Sequence, residues 1–277
     1  MNLAEATFER VVRESLVNER RNRPYIRHSV SQLSRYDLVT VVANGPSLAD
    51  SLAMLAAPPK RPVIVAVDGA ATRLLAAGVV PSLIVTADPH PRIAHWFGAE
   101  PDEHFQRTGE VAPTFSMKGL NLAIATASHP ETAHRAMDAG LNLYWWNAML
   151  DDPAEDGLTR ALNANGLPSI NGGGNVGTAA WVIAHSILKA KTVALVGFDF
   201  GYPPDFPPQR AQYWPEMQEM GLGFTTYENG WYADPAMAWF RDVFMQMAKD
   251  APCRTINCTE GGTLYGIERM PLAECLS

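Results

Sequence analysis

The chain has 277 residues, 47% of them hydrophobic and 18% charged, and carries a formal net charge of −7. These are the size and composition of a folded domain with one large core, or one core and a small appendage. The negative balance argues against a nucleic-acid partner, which selects for a concentrated basic face, yet local backbone N–H donors can still hold a single phosphate.

The chain opens on mixed acidic and basic residues instead of an apolar signal core, and no apolar run approaches the ~20 residues of a membrane span. Its three cysteines, Cys253, Cys258 and Cys275, lack CxxC spacing. A cytoplasmic protein with reduced thiols, no zinc site and no membrane span is therefore expected.

Residues 1–22 read as a charged helix with Phe8, Val11, Val12 and Leu16 at helical spacing, packed on the main domain or on a second subunit of a homo-oligomer. Arg20, Arg21, Arg23 and Arg27 read as a solvated face. Residues 1–36 form an N-terminal helical arm in this reading, and residues 37–277 the main domain. Strands are predicted at 38–43, 63–67, 83–87 and 193–196, where β-branched and apolar residues run together between Gly, Pro or Asp, as in strands buried on both faces. Helical periodicity covers 48–56, 70–77 and 176–189. Weaker strands at 122–126 and 141–146 flank a helix at 131–139, and a helix near 235–249 precedes a strand at 254–257. Such alternation predicts an α/β fold, a doubly wound and mostly parallel sheet with helices on both faces. The Pro- and aromatic-rich stretch 200–232 interrupts it and reads as a lid or insertion.

Ligands of such sheets bind beyond the carboxyl ends of the strands, where strand order reverses. The chemistry-bearing segments do follow strands. In Asn44-Gly45-Pro46-Ser47, Gly45 lets backbone approach a ligand and Ser47 can cap the next helix, whose N-terminus offers N–H groups to an anion. A charge–dipole contact of ~0.3–2 kcal/mol orients a ligand more than it binds it. Asp68 and Asp88 occupy equivalent strand ends, where carboxylates can hold Mg²⁺ against phosphates, bond a ribose, or cap helices. Gly173, Gly174 and Asn175 lie in a triple-glycine turn that can form an anion nest; it is neither a Walker loop nor a GxGxxG fingerprint in the first βα unit. Asp199 and Glu260 follow later strands toward the same rim. His90 is a better general-base candidate than His95. Cys258 has no histidine near it in sequence and is a poor candidate nucleophile.

In this order, Asn44-Gly45-Pro46-Ser47-Leu48, Asp68-Gly69-Ala70, the Gly-x-x-Pro-Ser-x-x-Val-x-x-Asp stretch from Gly78 to Asp88, Gly173-Gly174-Asn175-Val176, Val196-Gly197-Phe198-Asp199 and Asn257-x-x-Glu260-Gly261-Gly262 resemble the motility accessory factor family and the archaeal 6-hydroxymethylpterin diphosphokinase-like family. The Asn-Gly-Pro-Ser-Leu turn and the Gly-Phe-Asp-Phe strand end are similar to the small bacterial sialyltransferases as well. The resemblance spans roughly residues 37–270. It implies a Rossmann-like, nucleotide-binding domain and a transferase.

In the first reading, a CMP-activated nine-carbon acidic sugar is transferred to a protein or glycan acceptor, without a required cofactor. Asn44, Gly45, Ser47 and the turn at Gly173–Asn175 contact the donor, Tyr202 or Tyr227 closes over it, and Asp88, His90 or Glu228 takes the acceptor proton. The alternative is diphosphate transfer from ATP to a pterin alcohol, with Asp68 and Asp88 holding Mg²⁺; a third reading is a non-catalytic nucleotide-binding protein. The sialyltransferases place a histidine base in the loop before their last helix, whereas residues 225–232 contain none. The full motility factors also carry flanking domains for which this chain has no room.

Overall fold

The structure, a computed structural model, describes residues 3–110 and 115–277. Of residues 3–11 only the helical backbone is described, so the expected packing of Phe8 and Val11 lies outside the described side chains. In chain order the elements are α1 (Leu3–Asn22), β1 (His28–Ser29), β2 (Leu38–Val42), α2 (Leu48–Ala56), β3 (Ile64–Val67), α3 (Asp68–Ala76), β4 (Leu83–Thr86), α4 (Glu103–Thr108), β5 (Asn121–Ala125), α5 (Pro130–Asp138), β6 (Asn142–Ala148), α6 (Leu158–Leu162), β7 (Ser169–Ile170), α7 (Val176–Val182), β8 (Thr192–Val196), α8 (Trp214–Met220), β9 (Thr225–Thr226), β10 (Tyr232–Ala233), α9 (Pro235–Lys249), β11 (Arg254–Asn257), β12 (Glu268–Arg269) and α10 (Leu272–Cys275).

The main sheet runs β1-β6-β5-β4-β3-β2-β8-β11-β12, with β7 pairing β6. Every ladder in it is parallel. The expected doubly wound α/β fold is thus the fold observed. Its central strands are buried at almost every position, as when helices cover both faces: all four residues of β3 and of β4 are inside. β2 pairs with β3 on one side and with β8 on the other, with Val41 opposite Val65 and Leu195. The chain winds outward from β2 through β6, then returns to β8. The switch point therefore lies between the carboxyl ends of β2 and β8.

The helices follow from local signals. α2 buries Leu48, Ser51 and Leu55, three and four residues apart. α9 begins where Asp234 accepts the Met237 N–H at 2.8 Å with Pro235 in the first turn, and it turns Ala236, Phe240 and Phe244 inward. The predicted helix at 176–189 is α only to Val182. It widens to a π turn over Ile183–Ile187 and ends at Lys189 in a left-handed conformation (φ 60°).

Two boundaries differ from expectation. The arm at 1–36 is not separate from the sheet, because His28 and Ser29 pair with Tyr144 and Trp145 of β6. α1 packs on the main domain across the strand ends: Asn18 Nδ2 donates to the Pro89 and Ala127 carbonyls (3.1 and 3.0 Å), and Asn22 Nδ2 to those of Thr126 and Ser128 (3.0 and 2.7 Å). The stretch 200–232 is more than a loop. It contains α8 and the antiparallel pair β9–β10, and a small core of Tyr202, Ala211 and Tyr232 packed by Phe206, Trp214 and Phe224. Among the described residues, no helix is long and apolar enough to cross a membrane.

Candidate functional site

At the switch point the turn after β2 is bonded to the turn after β8. Ala43 N–H donates to the Val196 carbonyl (2.9 Å) and Gly45 N–H to the Gly197 carbonyl (3.1 Å). Asp199 accepts the Ser47 N–H at 2.7 Å and the Ser47 hydroxyl at 2.5 Å. Gly45 is the only residue type that fits there: a Cβ on it would stand 2.4 Å from both Asp199 Oδ2 and the Gly197 carbonyl.

This arrangement corrects two expectations. Ser47 does not cap α2 with its side chain, because its hydroxyl is engaged by Asp199. The anion at the N-terminus of α2 is supplied by the chain itself, the buried Asp199 carboxylate, and both Ser47 and Asp199 are withdrawn from solvent. Burial pushes the Asp199 pKa up to about 6, against the lowering effect of the two bonds from Ser47.

Asn44 lies half-buried beside this staple. Its Nδ2 donates to Glu110 Oε1 at 2.9 Å. Arg73, from α3, fans its guanidinium over the same turn: Nη1 reaches the Gly45 carbonyl at 2.9 Å and Asn44 Oδ1 at 3.4 Å, and Nη2 the Pro46 carbonyl at 3.4 Å. Burial lowers the Arg73 pKa, while the charges of Asp199, Glu110 and Asp50 oppose that shift. Asp68, at the first turn of α3, accepts the Gly69 N–H and the Thr86 hydroxyl, each at 2.8 Å. Burial raises its pKa to about 6, and the nearby charges of Asp88 and Glu110 push the same way. Burial also raises Glu110. The charges of Asp88 and Glu110 thus act on Asp68, Glu110 is bonded to Asn44, and none of the three carboxylates is in a salt bridge among the described residues.

Asp88 is partly exposed, and its Oδ1 accepts the His90 N–H at 2.7 Å. His90 is less suited to the general-base role expected of it: its Nδ1 accepts both the Arg92 N–H (3.1 Å) and Arg92 Nε–H (3.0 Å), so that lone pair already faces a cation. No group of three His, Cys, Asp or Glu side chains able to hold a metal ion occurs among the described residues.

α7, which follows the triple-glycine turn, reaches the switch point at Phe198: a Cβ on Gly177 would meet the Phe198 ring at 3.5 Å, and Phe198 precedes Asp199. Gly173 and Gly174 both have positive φ (54° and 83°). α9 packs against them, since Cβ atoms there would lie 3.2 Å from Met247 and 2.6 Å from Trp239, and the Gly173 N–H expected for an anion nest is already taken by Asn171 Oδ1 at 3.1 Å. Asn175 Oδ1 caps α7 by accepting the Thr178 N–H at 2.9 Å. What remains open is the outer side of this turn, where Gly174 is exposed.

Tyr202 does not close over the cleft. Its hydroxyl donates to Asp234 at 3.0 Å and accepts the Gln212 N–H at 2.9 Å inside the small core of the 200–232 segment. The Tyr227 ring lies under the Arg241 guanidinium, 4.9 Å from its centroid. Glu228 and Glu260 are exposed on adjoining turns, linked where Asn229 Nδ2 donates to the Gly262 carbonyl at 2.9 Å. Among the described residues neither is hydrogen-bonded to Asn44 or Asp88. Burial raises the Cys258 pKa, which leaves this thiol a poor nucleophile.

Sequence reasoning missed Arg73 and Glu110. Arg73 carried a signal, a single charged residue in the otherwise uncharged stretch Ala70-Ala71-Thr72-Arg73-Leu74-Leu75. Glu110 carried none, since no periodicity surrounds it. A separate cavity of about 110 Å³ lies at the amino ends of the strands, lined by residues such as Val63 and Ser82, which precede β3 and β4, and Asn121, which opens β5.

The fold and the site together define a Rossmann-like α/β protein with a group of carboxylates beside its switch point. A family profile described as 6-hydroxymethylpterin diphosphokinase MptE-like matches residues 17–205, about two thirds of the chain. The chain belongs to this family. Among solved structures, the MAf glycosyltransferase from Magnetospirillum magneticum AMB-1 is similar with a TM-score of 0.59 at 19% identity. The match covers 91% of this chain and 36% of that one, so this chain spans about a third of that protein's length. No curated protein matches in sequence. The family is named for a diphosphokinase, a transferase, and the structural neighbour shows the shared fold.

Proposed function

We propose that the chain is a transferase that binds a nucleotide-activated donor in the cleft between Asn44 and the carboxylates Asp68, Asp88 and Glu110. The observation that carries this reading is the grouping of three carboxylates around a fixed carboxamide at the switch point. Such a wall repels bare phosphate. It suits a ligand that brings hydroxyl donors or a bound cation.

In the first form of the reading, the donor is a CMP-activated nine-carbon acidic sugar and the acceptor a hydroxyl of a protein or glycan. Asn44 holds the donor, and Asp88, whose Oδ2 takes no hydrogen bond from the described residues, receives the acceptor proton. The acceptor oxygen bonds to the anomeric carbon while the CMP oxygen leaves with the bonding pair. Loss of such a base typically lowers the rate ~10²–10⁴-fold.

A second form, diphosphate transfer from ATP, is supported by the family match, and Arg73 bears on its charge balance. Its guanidinium is engaged with backbone carbonyls, so a polyphosphate would need another cation. Asp88, with Asp68 behind it, suits Mg²⁺, which takes one or two carboxylates and completes its shell with waters and phosphate oxygens. The ion would neutralise phosphate charge there. Asp68 has less to offer, since each of its oxygens already accepts a hydrogen bond.

The test is the shift in thermal midpoint with CMP, CDP, UDP, ADP and ATP, each with Mg²⁺ and with EDTA. A shift with CMP that survives EDTA supports sugar transfer; one with ATP that needs Mg²⁺ supports diphosphate transfer. No shift with any of the five removes the proposal.

A further inference from the structure

We propose that Glu110 is a positioning residue of this cleft: it fixes which way the Asn44 carboxamide faces and couples that orientation to the 200–232 segment. The inference rests on the reading that Asn44 contacts the donor.

A carboxamide is nearly symmetric in shape, so its orientation is set by what it bonds. Asn44 has an acceptor at one end, Glu110 Oε1 (2.9 Å), and a donor at the other, Arg73 Nη1 (3.4 Å). Only one orientation satisfies both. The backbone of α3 presses on it as well, since a Cβ on Gly69 would stand 2.5 Å from Asn44 Nδ2. One Nδ2 hydrogen goes to Glu110, which leaves the second for a ligand acceptor such as a phosphate, carbonyl or ring-nitrogen lone pair.

Glu110 is itself held from the other side. Its Oε2 accepts the Thr108 hydroxyl at 3.2 Å, and the end of α4 is clasped by the 200–232 segment. Arg210 Nε donates to the Thr108 carbonyl at 2.9 Å, joined by its Nη2, and the guanidinium lies against Gly109, where a Cβ would be 2.5 Å from Nη2. Arg107 reciprocates, with Nη1 donating to the Gln209 and Ala211 carbonyls (2.8 and 2.7 Å) and Nη2 to that of Gln212 (3.1 Å). A continuous path of contacts runs from Arg210 through Thr108 and Glu110 to Asn44. Seating of the segment therefore bears on the polarity that the cleft presents.

The experiment measures nucleotide affinity, by titration of whichever of the five nucleotides shifts the wild-type midpoint, for E110A, E110Q, N44A, N44A/E110A, R210A and the swap N44D/E110Q. Ligand-free midpoints are recorded for each. E110A should bind about tenfold more weakly, the worth of roughly one hydrogen bond. E110Q, which keeps an acceptor oxygen, should remain within about threefold of wild type. N44A/E110A should bind no more weakly than N44A, because the two residues act as a unit. R210A should weaken binding in the wild-type background and have no further effect on E110A. The swap is the decisive variant where E110A does not fold: it keeps a hydrogen bond between the positions but reverses its polarity, so it should fold and lose affinity. Wild-type affinity in E110A or in the swap, or multiplied effects of N44A and E110A, would overturn the inference while the functional reading stands. If no nucleotide shifts the wild-type midpoint, the functional reading fails and this inference with it.

Discussion

Asp199 accepts both the backbone N–H and the hydroxyl of Ser47, a residue 152 positions earlier in the chain. This single carboxylate joins the β2 turn to the β8 turn and takes the place that an external anion would hold at the N-terminus of α2. Removing it in D199A leaves the buried Ser47 N–H without a partner, at an expected cost of roughly 2–4 kcal/mol. Urea unfolding of D199A against wild type measures it. A change below about 0.5 kcal/mol would mean that the staple contributes little.

Gly45 depends on the same staple. Any side chain there meets Asp199 and the Gly197 backbone at 2.4 Å, so G45A should lose about 2 kcal/mol or more through overpacking. G223A is the matched control, with nothing within 4 Å of its Cβ. It should lie within roughly 0.5 kcal/mol of wild type in the same unfolding assay.

The pH dependence of stability has a definite sign at Asp68. Its folded pKa, pushed up to about 6 by burial, lies above the ordinary aspartate range. The folded state therefore holds its proton more tightly than the unfolded state. The stabilisation is complete below about pH 4 and is lost as pH rises through about 6. On this account Asp68 favours folding at pH 4 over pH 7 by on the order of 1–3 kcal/mol. Replacing it in D68N should flatten that part of the unfolding free energy between pH 4 and 7. An unchanged slope in D68N would assign it to other groups, among them Asp199, which is shifted in the same direction.

Arg73 and lysine are not interchangeable here. The planar guanidinium spans the Gly45 and Pro46 carbonyls and Asn44 Oδ1 together, a fan that a single ammonium does not reproduce. R73K should lose about 1–3 kcal/mol of stability and bind nucleotide more weakly. Equal affinity and stability in R73K would show that charge alone suffices.

The clasp between α4 and the 200–232 segment is open to proteolysis. Without Arg107 and Arg210 the segment loses its bonds to the end of α4, so R107A/R210A should be cut several-fold faster by chymotrypsin within 200–232. Phe206, Tyr213, Trp214 and Phe224 supply the cleavage points. Cleavage at the wild-type rate would place the hold in the small core around Tyr202 instead.

The sheet was legible because buried parallel strands write themselves as short apolar runs: β2, β3, β4 and β8 each fall within one or two residues of their predicted positions. The edge strands β1, β7 and β12 were not legible, since two-residue strands carry no period. Within the cleft, the strand-end positions of Asn44, Asp68 and Asp88 followed from the alternation of elements. Tyr202 was misread because an aromatic residue in a segment without periodicity gives no sign of whether its hydroxyl faces a ligand or, as here, Asp234.

Periodicity and local backbone preference suffice for the α/β class, the strand ends that could carry chemistry, and the glycines at their turns. Long-range packing sets the rest: Asp199 bonds Ser47 at the N-terminus of α2, α9 packs against Gly173 and Gly174, and Glu110 and Arg73 orient Asn44. Each of these joins residues far apart in the chain, and a hydrogen bond between distant side chains leaves no local pattern in a single sequence.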